Sequence, residues 1–144
     1  MQRPVRRALT VAIVLALVVL MAWPAVAAPV AYDVDKGHSA LLFRIKHVDV
    51  AYTYGRFNDF SGSIVVDDEN LANATVEITA KLESVDTNDA KRDQHLRSPD
   101  FFNVAQFPNM TFKSTSVAKT GDTYKVTGTL DLHGATKTLT IDMK

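Results

Sequence analysis

Residues 84–110 read S-V-D-T-N-D-A-K-R-D-Q-H-L-R-S-P-D-F-F-N-V-A-Q-F-P-N-M and lie between two segments with the alternation of β-strands. Thr87-Asn88-Asp89 offers side-chain oxygens to the free N–H groups of a helix start, so the segment predicts a short helix over residues 90–96. Ser98-Pro99-Asp100 ends that helix. A large apolar surface follows it, supplied by Phe101, Phe102 and Phe107. We expect a surface helix that these phenylalanines hold over one end of a sheet.

The segments on both sides of this insert alternate apolar and polar residues, which predicts β-strands with one buried face. The clearest run covers residues 74–83, where the apolar row is Ala74, Val76, Ile78, Ala80 and Leu82. Further strand patterns cover residues 30–34, 41–48, 55–66, 110–115, 124–132 and 139–143. Polar turns separate them, including Thr120-Gly121-Asp122 and His133-Gly134. The chain is therefore predicted to be all-β, with about six long antiparallel strands.

Long strands with one apolar face must bury that face against a second sheet or by closing into a barrel. Strands that follow one another in this chain are joined by short connections. That arrangement favours an antiparallel up-and-down β-barrel over a Greek-key sandwich. The pattern alone leaves both alternatives open.

The first 27 residues have the features of a secretory signal peptide. Arg3, Arg6 and Arg7 precede an apolar run over residues 8–23, and Ala25-Val26-Ala27 has the small-x-small pattern of a cleavage site. The apolar run is shorter than the roughly 20 residues of a spanning helix, which favours cleavage over a retained anchor. We expect residues 1–27 to be a signal peptide and residues 28–144 to form one domain. The protein would then be periplasmic or secreted in a bacterium, with no stable membrane span.

Composition excludes two classes of function. The chain has no cysteine, which rules out disulfides and cysteine-ligated metal sites. Residues 1–27 hold three of the 16 basic residues and none of the 16 acidic ones, so the remaining domain is mildly acidic. Such a domain is a poor nucleic-acid binder, because phosphate neutralisation supplies most of the non-specific affinity. We expect no nucleic-acid partner.

The polar side chains show no metal or catalytic pattern. The zinc-motif spacings are missing among the four histidines, which are His38, His47, His95 and His133. Asp89, Asp93 and Arg97 lie at i,i+4 spacings on the predicted helix, as in a salt-bridged surface helix. No nucleophile or phosphate-binding loop accompanies these charges. We expect no metal, no catalytic residue and no enzyme activity.

Three motifs in this chain resemble those of the YceI-like family. They are V-D-T-N-D-A-K-R-D-Q-H-L-R-S-P-D-F-F-N (residues 85–103), H-S-A-L-L-F-R-I-K-H (38–47) followed by G-R-F-N-D-F-S-G (55–62), and Y-K-V-T-G-T-L-D-L-H-G-A-T-K-T-L-T (124–140). The resemblance implies a lipocalin-like barrel of about eight strands that encloses one ligand. That ligand would be a polyisoprenoid or a similar amphiphilic lipid, carried, stored or shielded. No cofactor is implied beyond a bound isoprenoid or quinone-like molecule.

The family pattern continues past the strand that ends near Lys144 with about two more strands, so the resemblance implies a domain that is incomplete at its C-terminus. About six of the eight strands would be supplied here. Open strand edges are sites for pairing with another chain, so oligomerisation through them is a further expectation.

The expected lipid site follows from the apolar rows together with the resemblance. The predicted tunnel lining is Phe43, Ile45, Phe57, Ile64, Val76, Ile78, Phe112, Val126, Leu130 and Ile141. The predicted lid and mouth are Phe101, Phe102, Phe107, Tyr52 and Tyr54, although aromatic residues at a strand corner also serve as core closure. The predicted head-group rim is Arg92, Arg97 and His95. The competing interpretation is a structural or stress-related exported domain whose core is filled by its own side chains.

Overall fold

The computed structural model describes residues 28–67 and 69–144, and the predicted signal peptide lies outside them. The strands are β1 Val30–Asp33, β2 Leu41–His47, β3 Ala51–Phe57, β4 Phe60–Val66, β5 Thr75–Lys81, β6 Val85–Asp86, β7 Asn109–Thr120, β8 Thr123–Leu132 and β9 Ala135–Met143. The helix α1 covers Ala90–Arg97, and short 3-10 helices cover Leu71–Asn73 and Leu82–Ser84. Within the described residues, no helix has the length and apolar character that crossing a bilayer requires.

The strands form one antiparallel meander. A six-stranded sheet has the order β1-β4-β5-β7-β8-β9, and a three-stranded sheet has the order β2-β3-β6. The two sheets continue into one another, because β3 of one sheet leads directly into β4 of the other. On one side of them, β2 pairs with β3 and β1 with β4; on the other side, β6 pairs with β3 and β5 with β4. The predicted all-β, up-and-down antiparallel arrangement is confirmed. The meander does not close into a barrel within the described residues, since no ladder joins β9 to β1 or β2.

The predicted strand over residues 55–66 is divided in two, because the chain bends at Asn58-Asp59 between β3 and β4. The adjacent segment of the same chain, between β5 and β6, bends at the same level through the 3-10 helix Leu82–Ser84. The amide of Asn58 donates to the carbonyl of Ser84 at 3.0 Å, and the amide of Asp59 donates to Ser84 Oγ at 2.9 Å. At the bend, the hydroxyl and the carbonyl of Ser84 therefore accept the hydrogen bonds that a regular ladder would have supplied.

Two apolar clusters cover different parts of the inner face. One cluster lies under the insert and is built on Phe57, Phe60, Ala80, Leu82 and Val85, with Phe102, Leu96, Met110 and Leu132 packed against it. The other lies on the six-stranded sheet and is built on Val76, Phe112 and Val126, with Ile64, Ile78, Leu130 and Leu139 packed against it. The insert therefore packs over one end of the sheet, and strand side chains form the second cluster towards the other end.

Candidate functional site

A cleft of about 650 Å³ lies between the β2–β3 hairpin and the insert. Its lining is mostly apolar and consists of Leu41, Leu42, Phe43, Ile45, His47, Thr53, Phe57, Thr87, Arg92, His95, Leu96, Phe101, Phe102, Met110 and Leu132. Strand pairing explains one wall, since Leu41 faces Phe57 across the ladder and Ile45 faces Thr53. A concave apolar space of this size lies within the usual range for a small-molecule site.

Aromatic rings form the floor of the cleft. The ring of Phe43 lies over Gly55, its direct partner in the ladder, and a Cβ at position 55 would collide with that ring and with the methyl group of Thr87. The centroids of Phe43 and Phe57 are 5.3 Å apart, and those of Phe57 and Phe102 are 5.8 Å apart. Rings at these distances attract one another, so the floor is a packed and ordered surface.

A polar network around Thr87 holds the helix α1 against the cleft. Asp89 caps the helix, because its carboxylate accepts from the amides of Lys91 and Arg92, each at 3.0 Å. Asp93 is buried and accepts from the amide of Thr87 at 2.9 Å and from its hydroxyl at 2.6 Å. The i,i+4 pairing predicted for Asp93 is wrong, because its carboxylate turns inward to Thr87.

Arg92 completes this network on the cleft side. Its Nε donates to the hydroxyl of Thr87 and its Nη2 donates to the carbonyl of Thr87, both at 2.7 Å. The side chains of Arg92 and Thr87 both line the cleft. Arg92 is therefore held in one orientation at the polar end of an otherwise apolar wall, and its Nη1 has no partner among the described residues.

The other two predicted rim residues differ from one another in position. Arg97 donates to the carbonyls of Glu83 and Val85, at 2.8 and 3.0 Å, and does not line the cleft. These bonds hold the end of α1 to the 3-10 helix Leu82–Ser84 and to β6. His95 lines the cleft, and its Nε2 lies 3.1 Å from a carboxylate oxygen of Asp100. The ring of Phe101 meets His95 edge to face, with centroids 4.9 Å apart.

The predicted tunnel residues are divided between the cleft and the packed sheet. Three of them line the cleft, namely Phe43, Ile45 and Phe57. The others lie on the inner face of the sheet away from it, in or beside the second cluster: Ile64, Val76, Ile78, Phe112, Val126 and Leu130. Ile141 is 42% exposed on the edge strand β9. Alternation predicts which face a residue occupies, but it does not tell which end of that face is left unfilled.

The predicted lid and mouth residues are divided as well. Phe101 and Phe102 line the cleft, whereas Phe107 packs on His133 of the β8–β9 turn, with centroids 4.7 Å apart. Tyr52 and Tyr54 do not line it, because they alternate with Thr53 and Gly55 and so face outward from β3. They are 49% and 64% exposed.

Several lining residues were not predicted from the sequence: Leu41, Leu42, His47, Thr53, Thr87, Leu96, Met110 and Leu132. Leu41 and Thr53 share the alternation of Phe43 and Phe57, which was a sufficient signal for both. Thr87 carries no such signal, since its position depends on the turn before α1, where Asn88 has a φ of 61°.

The carboxylates beside the cleft serve as hydrogen-bond acceptors. The amide of Asn88, the guanidinium of Arg56 and the amide group of Asn58 together lower the pKa of Asp86 to about 2. The amide of Arg92 lowers the pKa of Asp89 below its usual value. Among residues 28–67 and 69–144, no group of three His, Asp or Glu side chains is placed to hold a metal ion. The arrangement offers apolar surface with one oriented cation.

Comparison with known families gives a match over nearly the whole described chain. The YceI-like domain profile matches residues 32–144. A UPF0312 protein of Yersinia pestis is 49% identical over 120 residues, which is 83% of this chain and 62% of that protein. A UPF0312 protein of Pectobacterium atrosepticum is 46% identical over the same shares. The chain therefore spans about 62% of the length of these curated relatives.

Solved structures share the same architecture. Burkholderia cenocepacia BcnA is 27% identical, with a TM-score of 0.69 over 76% of this chain and 69% of that one. The Campylobacter jejuni YCEI protein is 35% identical, with a TM-score of 0.59 over 77% and 66%. A polyisoprenoid binding domain from Saccharophagus degradans is 20% identical, with a TM-score of 0.53 over 72% and 59%. At that identity the last comparison shows the fold alone.

Proposed function

Because this chain belongs to the YceI-like domain family, we propose that its cleft binds the hydrocarbon tail of an isoprenoid or similar amphiphilic lipid. The observation that carries the proposal is an apolar space of about 650 Å³ that the side chains of the domain leave unfilled. A solved domain of the same fold is described as polyisoprenoid binding, and the shared fold is the ground for proposing the same class of ligand here. Carriage, storage or shielding of the lipid needs no catalytic group.

The apolar lining can supply the binding free energy. Each buried CH₂ contributes about 0.8 kcal/mol, so about ten carbons contribute on the order of 8 kcal/mol before the costs of association. The aromatic floor of Phe43, Phe57 and Phe102 is already ordered, which lowers those costs. An apolar wall distinguishes one methylene by only about 1–3 kcal/mol, so the site selects a class of chain and not one lipid.

The polar end of the cleft gives the ligand an orientation. Arg92 is held by two bonds to Thr87 and presents a fixed cation, and His95 stands beside it. We infer that a polar or anionic head group lies at this end, while the tail follows the floor towards Ile45. The signal-peptide pattern of residues 1–27 favours the periplasm as the place where this happens.

A cleft-filling substitution tests the proposal. Ile45 lines the cleft and is 60% exposed, so Ile45→Trp adds bulk to the cleft without disturbing the packed core. We expect it to abolish uptake of a long-chain prenyl alcohol while leaving the unfolding midpoint unchanged. Tyr54→Trp is the matched control, because Tyr54 lies on the same hairpin but faces outward. Equal uptake by wild type and Ile45→Trp would refute the proposed site.

The second candidate function is a structural exported domain with a filled interior. The packing of Val76, Phe112 and Val126 favours it, because these side chains are buried against their neighbours and do not line the cleft. Lipid uptake by the wild type distinguishes the two candidates, and the packing control is Ile78→Trp. In a lipid-binding domain, this change should cost about 1–3 kcal/mol of unfolding free energy and leave uptake intact. The structural candidate predicts that wild type takes up no lipid at all.

A further inference from the structure

The tip of the β2–β3 hairpin exposes two valines that belong to neither apolar cluster. Val48 and Val50 are 75% and 86% exposed. The turn is closed by the amide of Val50, which donates to the carbonyl of His47 at 3.1 Å, and Val48 and Asp49 have φ values of 43° and 58°. Glycine and asparagine are the usual residues at such positions, and a β-branched residue is disfavoured there. Stability therefore does not account for apolar residues at this tip.

The outer face of the same hairpin combines tyrosines with basic residues. Tyr52 and Tyr54 are exposed, and the guanidinium of Arg44 lies 4.7 Å from the centre of the Tyr52 ring. In the ladder Lys46 is paired with Tyr52, and Arg56 follows Tyr54 by two residues on β3. Aromatic rings with polar ends are enriched at the interface between a bilayer and water, where the ring and the hydroxyl each find a suitable environment.

Charge sets the hairpin apart from the rest of the domain. Residues 41–57 contain three basic residues and one acidic residue, whereas the rest of residues 28–144 contains five more acidic than basic residues. Lys46 and Arg56 have carboxylate partners, Asp49 and Asp86, each at 2.8 Å. Arg44 has no carboxylate partner among the described residues. An acidic domain with one basic, aromatic and apolar projection has a surface complementary to anionic lipid head groups.

We propose that the β2–β3 hairpin docks on the surface of a bilayer that contains anionic phospholipid, with Val48 and Val50 inserted and Arg44 at the head groups. The inner face of this hairpin carries Ile45 and Thr53, which line the cleft. Docking therefore places the hairpin wall of the cleft near the membrane, where a lipid tail can enter or leave the cleft. The inference goes beyond the proposed function, because docking requires no ligand in the cleft.

Sedimentation with lipid vesicles tests the docking. The full chain is mixed with vesicles of phosphatidylcholine and phosphatidylglycerol, and intact mass is used to check that every variant has the same N-terminus. The double change Val48→Asp and Val50→Asp should weaken binding at least about tenfold, since it replaces two inserted side chains. Val30→Asp is the matched control, because Val30 is 50% exposed and lies on β1, paired with Val66 at the opposite end of β4.

The electrostatic part of the docking has its own test. Arg44→Gln should weaken binding to the anionic vesicles by about fivefold, and it should have no effect on vesicles of phosphatidylcholine alone. Equal binding of wild type and Arg44→Gln to anionic vesicles would overturn the assignment of an anionic surface. Two results would overturn the docking itself: sedimentation of the double aspartate variant with anionic vesicles to the same extent as wild type, or no binding of wild type to these vesicles.

A label at the hairpin tip gives a second readout that does not depend on affinity. The chain has no cysteine, so Val50→Cys accepts one polarity-sensitive thiol dye, with Val30→Cys as the control. Anionic vesicles should shift the emission of the dye at position 50 to the blue and leave that at position 30 unchanged. If the emission of the dye at position 50 shifts on addition of another protein but not on addition of vesicles, the proposal is overturned in favour of a protein partner. Prenyl-alcohol uptake of the double aspartate variant from detergent solution should stay intact, which separates this test from that of the cleft.

Discussion

Removal of the Asp93 carboxylate should weaken the hydrogen-bonded attachment of α1 to Thr87 at the cleft. Asp93 is 7% exposed and accepts two hydrogen bonds from Thr87, at 2.9 and 2.6 Å. A hydrogen bond to a charged group contributes about 1.5–3 kcal/mol, and a buried donor left without a partner costs about 1–3 kcal/mol. Because both bonds share one carboxylate oxygen, we expect Asp93→Ala to lower the free energy of unfolding by about 3 kcal/mol.

Urea unfolding followed by circular dichroism measures this change. Asp100→Ala is the matched control, because Asp100 follows the same helix and has an exposed carboxylate whose hydrogen-bond partner, among the described residues, is His95. It should change the unfolding free energy by less than about 0.5 kcal/mol. Thr87→Val removes only the hydroxyl, and the double variant should show a coupling of about 1–2 kcal/mol between positions 87 and 93.

Destabilisation of the domain by Asp93→Ala that is no larger than that by Asp100→Ala would refute this expectation. That result would mean that the amide of Thr87 finds another acceptor and that the insert is held by its apolar contacts alone. A coupling near zero between positions 87 and 93 would contradict the network even if Asp93→Ala were destabilising. Since Thr87 lines the cleft, Asp93→Ala should also weaken prenyl-alcohol uptake.

Three further substitutions test the packing and the charges. Leu82→Ala removes a fully buried side chain and should cost about 3 kcal/mol in thermal or urea unfolding; a cost below about 1 kcal/mol would contradict the packed cluster. Gly55→Ala should cost about 1–3 kcal/mol, because its Cβ would meet the ring of Phe43, and neutrality would show that the ring moves freely. The pKa of Asp86 is lowered to about 2, so its stabilising effect is complete above the unfolded value of about 4 and is lost as pH falls towards 2. Asp86→Asn should therefore flatten the decline of unfolding free energy across that window, and an unchanged pH profile would refute the assignment.

Strand alternation predicted the faces of the sheet well, because each long strand buries only one row. Val76 and Val126 were predicted to face inward, and they are 4% and 0% exposed. The bend at Asn58-Asp59 was missed, although Phe57 and Phe60 are both buried and stand three residues apart, which a regular strand does not allow. The inward-facing positions change from odd to even residue numbers between Phe57 and Phe60, and this shift could have predicted the bend.

The candidate site could be predicted only in part, because it depends on contacts between distant segments. Phe43 and Ile45 follow from alternation along β2. The burial of Asp93 does not, since most residues of α1 are polar and the partner of the inward carboxylate, Thr87, lies across a turn. Strand alternation also does not predict which part of the inner face is packed. The insert leaves a space beside Ile45, whereas Phe112 and Val126 pack against their neighbours.

Native mass spectrometry of the wild-type chain expressed in a bacterial host tests the central proposal most directly. The proposed function predicts a population with the additional mass of a non-covalently bound prenyl or other long-chain lipid. Ile45→Trp should lose that population, and Tyr54→Trp should keep it. Recovery of ligand-free wild type alone, with no complex formed after a prenyl lipid is added, would contradict the proposal that this cleft binds lipid.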